Sequence, residues 1–126
     1  MPQWHGGLNK RKNTGGRRKL SRSKRSFEMG SRPSEPTLGE RVVKERRGFG
    51  GSRKFTLLRE DEINVADPKT KRTRKVKIDE VVKNPANIDY NRRGVITRGT
   101  VVKTELGNVR VTSRPGQNGV VNGILV

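Results

Sequence analysis

The chain is 126 residues long, carries 30 Lys and Arg against 12 Asp and Glu for a net charge of +18, and is 28% hydrophobic. That length holds one modest domain, and an apolar content well below the roughly 45–50% of an ordinary domain leaves only a thin core. The absence of Cys and the single His exclude disulfides and thiolate metal sites, so no metal and no cofactor are expected. No apolar run approaches the roughly 18 residues that cross a bilayer, and the N-terminus lacks the apolar stretch of a secretory signal, so a soluble intracellular protein is expected.

Residues 1–27 hold nine cations and no acid: Lys10, Arg11, Lys12, Arg17, Arg18, Lys19, Arg22, Lys24 and Arg25. Gly, Ser and Asn separate them, and between Trp4 and Phe27 only Leu8 and Leu20 are apolar. Such a segment buries too little surface to offset its ordering entropy and is predicted to be disordered alone in water. Against a polyanion it gains by releasing condensed counterions, which needs no fold. Fully extended it reaches roughly 90 Å, enough to thread between several RNA helices. RNA is favoured over DNA because no recognition helix for a major groove is evident. Trp4 either stacks on a base or docks on the protein's own body, and His5 is its neighbour in that aromatic handle. The arm closes at 36, after Pro33 and Pro36 forbid regular pairing, and the body is assigned to 37–126.

The body reads as short strands. Thr37 to Arg46 supplies the first, around Val42-Val43; Phe55–Arg59 and Arg74–Ile78 follow, the latter alternating so that Val76 and Ile78 face inward. Ile78, Val81 and Val82 share an i, i+3, i+4 stripe that predicts one short helical turn ending at Asn84-Pro85. Val95–Thr97 and Thr100–Glu105 are further strands, and Leu106-Gly107-Asn108 reverses the chain into Val109–Thr112. Arg114 to Gly119 is turn chemistry, and Val120–Val126 is a final apolar strand expected to pair inside the sheet. The expected fold is all-β, a small closed or nearly closed barrel of about six strands, because closure removes exposed edges.

Beyond the arm, cations gather near turns. Gly48 to Ser52, between Arg46-Arg47 and Arg53-Lys54, is an RNA-facing loop whose glycines let backbone amides approach phosphate. Arg92 and Arg93 beside Tyr90, with Arg98 and Arg114, complete the candidate RNA-binding set, since the planar guanidinium grips two phosphate oxygens. Glu60-Asp61-Glu62 with Asp67 is the one acidic cluster; lacking His, Cys or a nucleophile nearby, it is read as solvent-exposed loop charge, and no enzyme is expected.

Trp4-His5-Gly6, Gly15-Gly16-Arg17-Arg18-Lys19, Lys83-Asn84-Pro85-Ala86-Asn87 and, above all, Val95-Ile96-Thr97-Arg98-Gly99 with the run from Arg110 to Asn122 resemble the ribosomal protein S8e family over nearly the whole chain. The resemblance implies an archaeal, cytoplasmic small-subunit (30S) protein bound to 16S rRNA and adjoining other small-subunit proteins, with no cofactor, no catalysis, no membrane and no small-molecule substrate. It implies a barrel of about six strands near the subunit surface and Lys10 to Arg25 buried among rRNA helices. The family's glycine-rich loop is matched by Gly48 to Gly51, interrupted by Phe49. The alternative is a transient assembly factor on pre-rRNA, which would carry a longer helical N-terminal region.

Overall fold

A computed structural model describes the protein over residues 7–126 and, as backbone alone, Gln3 and Trp4. His5 lies outside the described residues, as does the side chain of Trp4. The chain divides into two units, Met1–Pro33 and Ser34–Val126.

In the first unit β1 (Gln3–Trp4) pairs antiparallel with β2 (Met29–Gly30), and a 3-10 turn covers Ser26–Glu28. The rest of the described segment is turns and irregular chain, with an isolated bridge between Arg11 and Arg17. None of its described apolar side chains is fully buried, as ten cations and few apolar residues among 33 dictate.

The second unit is built on strands. β3 (Thr37–Leu38), β4 (Val42–Arg47) and β5 (Arg53–Glu60) form a sheet in the order β3-β5-β4. β6 (Glu62–Asp67), β7 (Arg72–Lys83), β8 (Val101–Thr104), β9 (Gly107–Val111) and β10 (Asn122–Leu125) close into a barrel in the order β10-β6-β7-β8-β9. The closed barrel thus has five strands where about six were expected. Neighbours from β6 to β10 alternate in direction, and an odd number of alternating strands closes only through a parallel pair. That pair is β10 with β6, joined at Asn122↔Asn64 to Ile124↔Ala66. The apolar C-terminal strand is therefore paired on both sides, as expected from its composition.

Inside sit Ile63, Val65, Ile78, Val102, Val109, Val111 and Val121, with Leu57 of β5 and Ile96 of a loop completing the cluster. Each such side chain contributes about 1.5–3 kcal/mol by leaving water, so a cluster of this size tolerates few losses. Closure has a steric condition at Gly123: a Cβ there would lie 2.5 Å from Val109 Cγ1 and 3.0 Å from the Arg110 carbonyl oxygen.

Three expectations need correction. Ile78, Val81 and Val82 lie in β7, not a helix; β7 carries register shifts between Ile78 and Glu80 and between Val81 and Lys83. Those shifts change the phase of the inward face, so Val76, Ile78 and Val81 turn inward while Val82 stays exposed. Val95–Thr97 is buried loop, not strand: Ile96 N–H donates to Pro36 O at 2.8 Å and Thr97 N–H to Thr100 Oγ1 at 2.9 Å. Arg114 to Gly119 is a one-turn helix, α2 (Pro115–Asn118), begun by Pro115 and ended by Gly119 in the left-handed region (φ 69°). A further turn, α1 (Ile88–Arg92), starts where the Asn87 side chain accepts from Asp89 N–H at 3.0 Å.

Candidate nucleic-acid interface

The arm's cations stand out because their segment has nothing to bury them in. Lys10 through Arg25 are exposed throughout. Local turns hold their backbone: Lys10 N–H donates to Gly7 O, Gly15 N–H to Lys12 O and Lys12 N–H to Gly16 O, each at 2.9 Å. An open cleft of about 590 Å³ is lined by Lys12, Arg18, Lys19 and Arg22 with Leu8 and Leu20. Arg22 is already matched. Arg22 grips Glu28 with both terminal nitrogens, at 2.7 and 2.5 Å. That contact, followed by the Arg25 N–H at 3.0 Å, holds the Glu28 carboxyl down at about 2.

In the second unit the β4–β5 hairpin carries the next group. Its register sets Arg46 opposite Lys54 and Arg47 opposite Arg53, all exposed. Like charges directly opposite one another destabilise a hairpin unless counter-charge arrives from outside. The one acid within its strands before the final Glu60 is Glu45, whose Oε1 lies 3.2 Å from Arg53 Nε. Between the strands, Gly48 N–H donates to Ser52 O at 2.6 Å, and Gly50 and Gly51 take φ of 73° and 79°.

Arg92, Arg98 and Arg114 are exposed and make no ion pair among the described residues. Arg92 ends α1, Arg98 sits on a turn and Arg114 precedes α2. The loop carrying the first two is fastened by Asn84, 4% exposed, whose Nδ2 donates to Val95 O at 2.7 Å. Its Oδ1 accepts from Ala86 N–H at 3.0 Å and Thr97 Oγ1 at 3.2 Å. Arg93 differs from its neighbour. It is paired with Glu35 and with Asp89 Oδ2 at 2.8 Å, and its guanidinium lies 5.5 Å from the Tyr90 ring centroid. Glu35 first, then Asp89, pushes the Arg93 pKa further up, so its charge is permanent but already answered twice.

A fourth cationic group lies outside the set expected from the sequence. The β6–β7 hairpin presents Lys69, Lys71, Arg72, Arg74 and Lys77, all exposed. Its turn is organised by Asp67, which accepts from Lys69 N–H at 2.9 Å and Thr70 Oγ1 at 2.8 Å; these bonds lower its pKa. Asp67-Pro68 is an Asx-turn signal, and a Lys/Arg alternation follows it. Together they mark a cationic hairpin.

The acidic cluster also differs from expectation. Glu60 is 2% exposed at the end of β5, with Oε2 3.2 Å from Arg41 Nη1 and Oε1 buried without a partner. Burial pushes its pKa up against the pull of Arg41. Carboxylate oxygens of Glu60, Asp61 and Glu62 come within 4.8 Å of one another, but Arg41 and Lys75 answer the first and last. The cluster is internal charge balance.

A family model described as Ribosomal protein S8e matches residues 5–126. Small ribosomal subunit protein eS8 of Picrophilus torridus is 49% identical over 116 residues, 92% of this chain and 93% of that protein. Its namesake from Methanocella arvoryzae is 48% identical over 120 residues, 95% and 96% of the two chains. That from Sulfolobus acidocaldarius is 44% identical over 124 residues, 98% and 97%.

Proposed function

The chain belongs to the ribosomal protein S8e family, and from that premise we propose that it is a structural constituent of the small ribosomal subunit that binds 16S rRNA and supports translation in the cytoplasm. As a structural protein of that family it is not an enzyme. Packed rRNA helices repel through their phosphates, and cations placed between them let the helices approach. The observation that carries this reading is the run of exposed cations from Lys10 to Arg25 on a segment without a fully buried apolar side chain. Arg46, Arg47, Lys54, Arg92, Arg98 and Arg114 extend the contact onto the body. Arg22, Arg53 and Arg93 would bind phosphate only in competition with Glu28, Glu45, and Glu35 with Asp89. The β6–β7 cations join the set. Neighbouring small-subunit proteins are its protein partners.

Affinity-tagged protein should sediment with small subunits inside translating polysomes and remain there after a high-salt wash. Recovery on precursor particles alone would identify a transient assembly factor instead.

A further inference from the structure

One side chain of the β4–β5 hairpin has no role in the fold. Phe49 is 97% exposed, more than any other large apolar side chain described. Residues on either side leave both faces of its ring open, since Gly48, Gly50, Gly51 and Ser52 make up the rest of the loop. The backbone beneath it is fixed: Gly48 N–H closes onto Ser52 O, and Ser52 Oγ donates to Phe49 O at 3.3 Å. Gly50 and Gly51 in the left-handed region complete a turn that residues with a Cβ adopt only under strain. A firm loop thus holds an aromatic ring at the hairpin's tip. Directly behind it stand the cross-strand pairs Arg47 with Arg53 and Arg46 with Lys54.

A bare ring on a cationic finger calls for a partner that offers a flat apolar face within dense negative charge. An unpaired nucleobase in RNA has both; a pocket on a protein would need acids around its rim to tolerate those cations. We propose that Phe49 is a base-stacking finger, inserted where rRNA presents an unpaired base, with Arg46, Arg47 and Lys54 on the flanking phosphates. This rests on the rRNA-binding reading above and adds to it a site that recognises a base as well as phosphate.

The test uses the full chain with deproteinised 16S rRNA from the source organism, comparing Phe49→Ala, Phe49→Leu and Phe49→Trp at fixed salt. Stacking of one base on an aromatic corresponds to roughly a 5- to 140-fold affinity difference. Phe49→Ala and Phe49→Leu should lose affinity in that range and Phe49→Trp retain it. All three should keep the parent's salt slope and melting temperature, because no charge and no packed atom changes. A photo-reactive benzoyl-phenylalanine at position 49 in assembled subunits should cross-link to rRNA. Unchanged affinity of Phe49→Ala, full affinity of Phe49→Leu, or a cross-link to protein overturns the finger. Phosphate binding by the arm would survive any of these results. Absence of rRNA binding by the parent chain, with no cross-link to RNA in the subunit, overturns both.

Discussion

Barrel closure at Gly123 offers a perturbation whose size can be worked out from the structure. In Gly123→Ala the new Cβ meets Val109 Cγ1 at 2.5 Å, the Arg110 carbonyl oxygen at 3.0 Å and Ile63 Cδ1 at 3.1 Å. Carbon atoms pack at about 3.5–4.0 Å, so the first overlap is about 1 Å. None of these atoms moves easily. Val109 is 0% exposed, Ile63 is 1% exposed, and the Arg110 backbone belongs to the β9–β10 ladder through Ile124↔Arg110. Overpacking costs about 1–3 kcal/mol, and this site belongs at the upper end, near 3 kcal/mol. For a body of this size that lowers the melting temperature by roughly 12–24 °C. Val109→Ala alone loses about 1–3 kcal/mol to a cavity but removes the clashing methyl group. The double variant should therefore be more stable than the sum of the singles by about 1 kcal/mol or more. Urea unfolding followed by far-UV circular dichroism reads all four proteins. A Gly123→Ala chain within 0.5 kcal/mol of the parent, or strict additivity with Val109→Ala, would refute the closure geometry.

Asn84→Ala strands the Ala86 N–H and the Val95 carbonyl, which should cost about 2–4 kcal/mol in the same assay and speed amide exchange in residues 84–100. An effect confined to a few tenths of a kcal/mol would mean that the loop is held elsewhere. Burial raises the Glu60 pKa in the folded chain above its unfolded value, so protonation favours folding at this site. The gain appears as pH falls through the folded pKa and is complete below the unfolded one. Relative to Glu60→Gln, the parent should gain stability on acidification from pH 8 to pH 4; a relative loss contradicts the assignment. Glu28 runs the other way: its pKa is lowered to about 2 by Arg22, so the stability of the Arg22–Glu28 clasp is present above the unfolded carboxylate pKa and lost as pH falls towards 2. In a carboxyl-resolved NMR titration Glu28 should titrate at about 2 in the parent and move back up towards the ordinary carboxylate range in Arg22→Gln; an unchanged midpoint would contradict the clasp.

Much of the fold was legible where a local rule and the tertiary outcome agree. The β8–β9 hairpin, the strand around Val42-Val43 and the paired C-terminal strand follow from alternation and turn residues. The misread segments show what competes with those rules. A bulged strand mimics a helical stripe, because the shifts in β7 convert a spacing of two into three between Ile78 and Val81. The Val95-Ile96 pair is apolar through burial in a loop, with bonds to Tyr90 and Pro36 that no local pattern announces. Pro115 and Gly119 serve turns and helix caps equally well, so their identity leaves α2 open. Burial of Glu60 depends on where β5 lands, and no neighbouring residue encodes it. At the candidate interface the sequence displays every cation, but not which are already answered. Arg93 between Glu35 and Asp89, 58 and four residues away in the chain, is legible only in three dimensions.

If exposed arm cations bind rRNA phosphate, their counterion release sets the salt dependence of binding, and a salt titration reads it. Affinity of the full chain for 16S rRNA should be followed from 50 to 500 mM KCl, beside a full-length variant in which Lys10, Arg11, Lys12, Arg17, Arg18 and Lys19 are Gln. If each of the six meets one phosphate, the slope of log K against log salt should flatten by roughly 4–5. Equal slopes for the two proteins would mean that these six cations do not meet phosphate.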